Sequence, residues 1–308
     1  MALVREAVRR AAPALLDGIA ERGFGVVDAA LPAETVLVMR AEADALRRGG
    51  SMVPSESTRW DEESGKVQTY QKPNVLSTNL VGGELYFASP RLHEYCVSLV
   101  ATLPSLVNQR WPSTRLSNQI HTNKLAVCMG DGSHYAKHYD NSGGTDLRKL
   151  TVLLYLQNKW DPADGGCFRM FFDECRDDPL TEPPQGAQLH TLATAAPDSD
   201  LKFGIARDLE PLVQVAETEG GAEAEGETGT LHTCADIAPV GGRLLAFWSD
   251  TMVHGVLPSF ASEGADAHRW ALTIWLHTDT PEAVRFDSEV EERHFGGLRG
   301  EGHRFVAG

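Results

Sequence analysis

Basic residues are the scarce charge in this chain. Lysine and arginine number 28 against 43 aspartates and glutamates in 308 residues, a formal net charge of -15. Nucleic acid and anionic membrane surfaces both call for a cationic face, so neither is expected as a partner. Cysteine is sparse as well. Cys96, Cys128, Cys167, Cys175 and Cys234 are odd in number and form no Cys-x-x-Cys pair, which argues against a disulfide framework or a zinc knuckle. The expected setting is therefore reducing, in the cytoplasm or nucleus, and not secreted. No apolar run approaches the length of a membrane span, and Arg5, Glu6, Arg9 and Arg10 interrupt what would have to be the apolar part of a signal segment. An amphipathic, arginine-bearing start also fits an organelle transit peptide. Against that, the apolar periodicity runs on through Leu15, Leu16 and Ile19 into 23–28, as a helix leading into a strand would.

What is present is ordinary for a globular chain: 42% hydrophobic and 23% charged residues, enough for a sizeable core in a single domain over 1–308. Periodicity predicts helices over 2–21, 32–48 and 85–103, with a strand over 24–28. Residues 49–79 turn polar and rich in Gly, Ser and Glu, which predicts an exposed hairpin or mobile loop holding Arg59-Trp60-Asp61. Short apolar or alternating runs at 125–129, 151–156, 167–172, 243–248 and 270–276, bounded by turn residues, predict a set of sheet strands. The picture is a β barrel with flanking helices. Residues 1–110 support it and 120–280 form its core. A stretch over about 177–234 interrupts the pattern with Pro179, Pro183, Pro184 and Pro197, then with five glutamates and no basic residue in 216–229. It reads as a solvated acidic insertion.

The residues that carry chemistry come in two distant groups. In His138-Tyr139-Asp140 the two outer side chains, two apart on a strand, share a face and can reach one metal ion. A surface turn produces His-x-Asp often, but here turns on both sides, 129–137 and 141–146, place the pair at the opening of a barrel strand. A third ligand comes from a distant strand. His232, His268 and His277 compete with His254 for that place. His254 has the best setting, beyond an apolar strand that ends in Ser249-Asp250 and ahead of Pro258. Two imidazoles and one carboxylate on one side of Fe(II) leave positions for a co-substrate and O2.

Arg269 separates an oxygenase from a hydrolytic metal site. An arginine opening an apolar strand is ordinarily a snorkelling or salt-bridged side chain. Inside a barrel beside a metal it is instead a buried cation whose planar fork fits a carboxylate. Thr273, four residues on, shares its face, and Tyr155 can donate a hydroxyl to the same anion, so the three are expected to grip the distal carboxylate of 2-oxoglutarate. Gly165-Gly166 reads as a turn feeding a strand, and Trp160 and Trp248 read as packing residues.

In order along the chain, 23–28, 138–141, 148–156, 165–171, 235–239, 243–250 and 269–275 resemble the prolyl 4-hydroxylase branch of the Fe(II)/2-oxoglutarate dioxygenases. The likeness is strongest to the oxygen-sensing prolyl hydroxylases that act on hypoxia-inducible factor. The specific blocks are Trp248-Ser249-Asp250 and Arg269-Trp270-Ala271-Leu272-Thr273-Ile274-Trp275. The resemblance implies a double-stranded β-helix, a jelly roll, with helices packed on one sheet. It implies His138, Asp140 and His254 as iron ligands, and Arg269 as the 2-oxoglutarate arginine with Tyr155 and Thr273 as helpers. It sets Arg59 and Asp61 in the Arg-x-Asp of a substrate-covering loop. The cofactors implied are Fe(2+), 2-oxoglutarate and O2, with L-ascorbate as auxiliary reductant. The substrate implied is a proline-containing protein or peptide. The acidic insertion and a long 254–269 connection depart from the family pattern and bear on substrate identity. Competing readings are the same chemistry on another side chain or a free amino acid, a non-catalytic jelly-roll binding module, and a zinc hydrolase, which leaves Arg269 and Tyr155 without an anion.

Overall fold

The structure, a computed structural model, describes residues 2–61, 66–141, 143, 145–171, 214–215, 233–260 and 268–285. The chain opens with α1 (Ala2–Arg22), β1 (Phe24–Val27) and α2 (Ala33–Arg48). Val4, Ala7, Val8, Ala11, Leu15 and Ile19 recur at helical spacing on α1 and are buried. Gly25 permits their close seating on β1, because a Cβ there would stand 2.0 Å from the Leu15 carbonyl oxygen. A hairpin of β2 (Val53–Asp61) and β3 (Lys66–Thr78) follows, and its base is drawn into the sheet where Val75–Thr78 pairs with the next strand.

The single helix expected over 85–103 is three helices: α3 (Glu84–Ala88), α4 (Pro90–Val100) and α5 (Leu103–Arg110). Pro90 and Pro104 sit in the first turns of α4 and α5, where a missing N–H costs nothing, so the prolines restart the helix and do not extend it. The remaining strands are β4 (Leu116–Cys128), β5 (Ser133–His138), β6 (Arg148–Tyr155), β7 (Phe168–Phe171), β8 (Gln214–Val215), β9 (Thr233–Ile237), β10 (Leu244–Trp248), β11 (Val253–Ser259) and β12 (Arg269–Thr278). They make two antiparallel sheets, ordered β1-β10-β6-β12-β4-β3-β2 and β5-β11-β7-β9-β8. These are the two layers of a double-stranded β-helix.

Strand alternation sorts the side chains of the large sheet between two cores. Trp270, Leu272 and Ile274 of β12, with Leu150, Val152 and Leu154 of β6, pack outward among the helices. Ala271, Leu153 and Tyr155 pack inward against Phe168 and Met170 of the smaller sheet. Arg269 and Thr273 share the face of Ala271, and Thr151 shares that of Leu153, so these polar groups enter the space between the sheets. On the other side, the buried Arg40 of α2 lies with its guanidinium carbon 4.7 Å from the Trp270 ring, which ties the helical layer to β12.

Three differences from the sequence pattern matter for the site. β4 starts at Leu116 and runs the full length of β12, with Thr278 opposite Leu116. His254 belongs to a strand of its own, β11, which pairs with both β5 and β7. Its Pro258 falls where pairing with β5 is irregular, the position in a sheet where a residue without an N–H is accepted. Thr233 and Cys234 begin β9, and Gln214–Val215 of β8 pairs with them, so these residues of the expected 177–234 insertion belong to the smaller sheet. The acidic segment 216–229 lies outside the described residues. Among the described residues, no helix is long and apolar enough to cross a membrane.

Candidate metal centre and anion pocket

β5 and β11 run antiparallel with His138 opposite His254. Four residues of β5, from Tyr135 to His138, oppose three of β11, from Val256 to His254. That bulge sets Tyr135 and His138 on one face although they are three apart, so both look between the sheets. His138 closes β5 and Asp140 follows in the bend after it, so the carboxylate is delivered by a turn and not by strand alternation.

Each imidazole donates from Nδ1 to a carbonyl two residues earlier, His138 to Ala136 at 2.7 Å and His254 to Met252 at 3.0 Å. A carbonyl can only accept, so Nδ1 carries the proton and Nε2 keeps its lone pair, the tautomer a metal requires. Both Nε2 atoms stand 3.6 Å from Asp140 Oδ1. The candidate ligand atoms of the three residues all lie within 4.8 Å of one another. Asp140 Oδ2 accepts from Thr151 Oγ1 at 2.7 Å, and Thr151 is itself 2.8 Å from Ser249 Oγ. Phe168 stacks on His254 with ring centroids 4.9 Å apart, and Phe247 lies 4.8 Å from the same ring. His254 is 4% exposed and His138 26%, so the cluster opens on the His138 side. Burial and the neighbouring His254 push the His138 ring down, against the pull of Asp140. Burial opposes ionisation of Asp140, yet His254 and His138 hold its carboxyl well below the usual carboxylate range. With each Nδ1 committed to a carbonyl, the two Nε2 atoms and the carboxylate make a donor set suited to a divalent first-row metal.

Arg269, the first residue of β12, is 3% exposed. Its Nε donates to the Gly166 carbonyl at 2.7 Å, while Nη2 is buried without a hydrogen-bond partner. The hydroxyl of the buried Tyr155 also has none, and the Arg269 guanidinium carbon lies 5.3 Å from the Tyr155 ring. A buried cation and a buried hydroxyl, both unsatisfied and side by side, define a seat for a carboxylate. Burial works against the guanidinium charge, but Tyr155 and Cys128 favour it, and Arg269 stays cationic. The Gly165-Gly166 turn supports this pocket directly. Gly165 has φ +63°, and a Cβ there would come 2.2 Å from the Pro258 carbonyl oxygen. The glycines therefore let the Gly166 carbonyl approach Arg269, beyond merely feeding a strand.

The profile of the 2OG-Fe(II) oxygenase superfamily matches residues 124–277, half of the chain. The chain belongs to the 2OG-Fe(II) oxygenase superfamily. The matched span starts on β4 and ends on β12, and so contains the candidate metal cluster and the arginine pocket. Among curated proteins, the chain is 26% identical over 153 residues to prolyl hydroxylase EGLN3 of Homo sapiens, covering 49% of this chain and 38% of that protein. It is 28% identical over 153 residues to the hypoxia-inducible factor prolyl hydroxylase of Caenorhabditis elegans, covering 49% and 12%. It thus spans well under half the length of these relatives. Three solved structures share the fold. A prolyl 4-hydroxylase from Phytophthora capsici has TM-score 0.56 at 21% identity, covering 89% of this chain and 65% of that one. A Pseudomonas putida prolyl-4-hydroxylase has TM-score 0.54 at 20% identity, covering 87% and 99%. A Trichoplax adhaerens prolyl hydroxylase, in complex with a hypoxia-inducible factor peptide fragment, has TM-score 0.57 at 18% identity, covering 92% and 96%.

The structure brings His138, Asp140 and His254 together, and it brings Arg269 to Tyr155, with Thr273 farther along the same face. The competing histidines stand elsewhere. His277 Nε2 is 3.2 Å from Thr122 Oγ1, and His268 feels the charges of Arg47, Arg40 and Asp44 of α2. His232 lies outside the described residues. Arg59 and Asp61 are on β2, opposite Gln68 and Lys66 of β3. Trp160 donates from Nε1 to the Gly165 carbonyl, and Trp248 packs edge-on to Trp111, so both are packing residues as expected. Sequence reasoning missed Thr151 and Ser249, whose bonds exist only across β6 and β10.

Proposed function

We propose that the protein is an Fe(II)- and 2-oxoglutarate-dependent dioxygenase that hydroxylates a prolyl residue in a protein or peptide, with His138, Asp140 and His254 holding the iron. The observation that carries this reading is the His-Asp-His cluster sharing one interior with a buried arginine whose Nη2 has no partner. A hydrolytic zinc site would leave that arginine and Tyr155 unexplained. Iron and 2-oxoglutarate, when bound, supply the activation of O2 with release of succinate and CO2.

The chain's own residues bind, orient and exclude. Arg269 and Tyr155 hold the distal carboxylate of 2-oxoglutarate, and Thr273 lines the path toward the metal ligands. Thr151 fixes the Asp140 carboxylate while Phe168 and Phe247 wall the His254 side against water. Substrate approaches from the His138 side, which is the open one, with Arg59 and Asp61 of the β2–β3 hairpin as its covering loop. L-ascorbate serves as auxiliary reductant. The net charge of -15 supports a protein partner over nucleic acid or membrane, and the odd, motif-free cysteine set supports a reducing compartment, cytoplasm or nucleus.

The test is succinate release from 2-oxoglutarate by the purified chain with Fe(II), with and without proline-containing peptides. Mass spectrometry then locates any residue that gains one oxygen atom. Peptide-stimulated turnover with the oxygen on proline is the expected result. Stimulated turnover with the oxygen on another side chain would keep the chemistry and replace the substrate.

A further inference from the structure

Two lysines enter the same interior as the metal cluster. On β4, Leu125 and Val127 belong to the helix-side core, so Lys124 points the other way, between the sheets, opposite Thr273 of β12. Lys72 reaches across from β3 to β5, its Nζ 4.1 Å from the centre of the Tyr135 ring, three residues before His138. Both are half-buried, and neither has a carboxylate within ion-pair distance among the described residues. The nearby acids are already engaged: Asp140 by the two imidazoles and Thr151, and Asp146 by the Arg148 fork. The lysines also repel each other, since Lys124 pushes Lys72 down while Asp140 draws both up.

Two like charges half out of water and unpaired are costly unless an anion is to be received between them. That anion is not the distal carboxylate of 2-oxoglutarate. Lys124 stands opposite Thr273, four strand positions, on the order of 13 Å, from Arg269, which with Tyr155 already has its own seat, and Lys72 comes in from the β5 side over Tyr135. We propose that Lys72 and Lys124 form a second anion seat, at the open end of the barrel, that selects substrates with an acidic side chain next to the residue to be oxidised. This rests on the prolyl hydroxylase reading above and narrows its substrate class. The seat is a local cationic feature in a chain of net charge -15, so it discriminates by position and not by bulk charge.

The test uses the full chain with Fe(II) and 2-oxoglutarate, without oxygen, titrated calorimetrically with three peptides that differ only beside the proline: Glu-Pro, Gln-Pro and Lys-Pro. The wild type should bind the Glu-Pro peptide roughly tenfold or more tightly than the Lys-Pro peptide. The Lys72→Gln/Lys124→Gln double variant should level the series, and Lys72→Glu/Lys124→Glu should invert it. A melting temperature for each variant separates misfolding from lost recognition. An unchanged preference in the charge-reversed variant overturns the proposal. So does a selective loss of 2-oxoglutarate affinity in the double glutamine variant, which would assign the lysines to the co-substrate. If no peptide binds but free glutamate does, and the double variant loses it, the anion seat stands and the prolyl-peptide reading falls. If all three peptides bind equally and are hydroxylated, the prolyl reading stands and the anion seat falls.

Discussion

Thr151 donates its hydroxyl to Asp140 Oδ2 at 2.7 Å, which leaves Oδ1 equidistant, at 3.6 Å, from the Nε2 atoms of His138 and His254. The carboxylate is thus aimed from behind by a residue on another strand. Thr151→Val removes this bond at nearly constant shape and should lower Fe(II) affinity by about 10- to 100-fold, as loss of a partner to a metal ligand typically does. Thr151→Ser should restore most of it. Anaerobic Fe(II) titration measures both, and an unchanged affinity in the valine variant would make Thr151 a packing residue.

His254→Ala removes a candidate ligand that also stacks on Phe168. Fe(II)-dependent 2-oxoglutarate turnover should vanish while the far-ultraviolet circular dichroism spectrum is retained. His138→Ala and Asp140→Ala should behave alike. Near-normal decarboxylation by His254→Ala would move the third ligand to another histidine.

Arg269→Ala removes the cationic half of the proposed carboxylate seat. Breaking a buried charged pair costs on the order of 3 to 5 kcal/mol, so 2-oxoglutarate binding should weaken by roughly two to three orders of magnitude. Arg269→Lys should recover only part, because an ammonium cannot reproduce a two-pronged contact. Iron binding should survive both. Wild-type 2-oxoglutarate affinity in the alanine variant, measured in anaerobic titrations of the Fe(II) protein, would sink the assignment.

Lys72 supplies a pH signature in the metal-free protein. Burial and Lys124 bring it down from 10.5 to about 8, against the pull of Asp140 and Cys128. Between those two values the unfolded chain holds a proton that the folded chain has released, so this group makes stability rise with pH across that window. Lys72→Met should therefore melt higher than wild type at pH 7, with the advantage shrinking as pH climbs from about 8 toward 10.5. A melting-temperature difference flat in pH would mean that the lysine is not desolvated in the fold.

The ligands and the arginine were legible because their chemistry leaves a mark in short blocks: His-x-Asp, a histidine after an apolar strand, an arginine opening another. The strands of β6, β10 and β12 were legible from apolar runs bounded by turns. β11 was not, because Gly255 and Pro258 weaken its pattern and its pairing comes from two neighbours distant in sequence. The break of 85–103 into three helices was readable in Pro90 and Pro104, yet the apolar spacing concealed it. Thr151, Ser249, Lys72 and Lys124 were invisible for one shared reason. Each depends on register between strands that are far apart in the chain, and a threonine or lysine in a strand has no local signature for what it will face.

The bulge between Tyr135 and His138 has a bearing on how this protein could be improved or damaged. Removing Ala136 or Lys137 would make the β5–β11 ladder regular there, a change that sheet geometry welcomes. His138 would stay opposite His254, but the straightened backbone would draw the carbonyl two residues before it away from Nδ1 and release the tautomer. Selection for thermal robustness alone would therefore tend to loosen the geometry of the metal centre. The irregularity persists only under selection for what the site does, a trade between durability and use written into a single surplus residue.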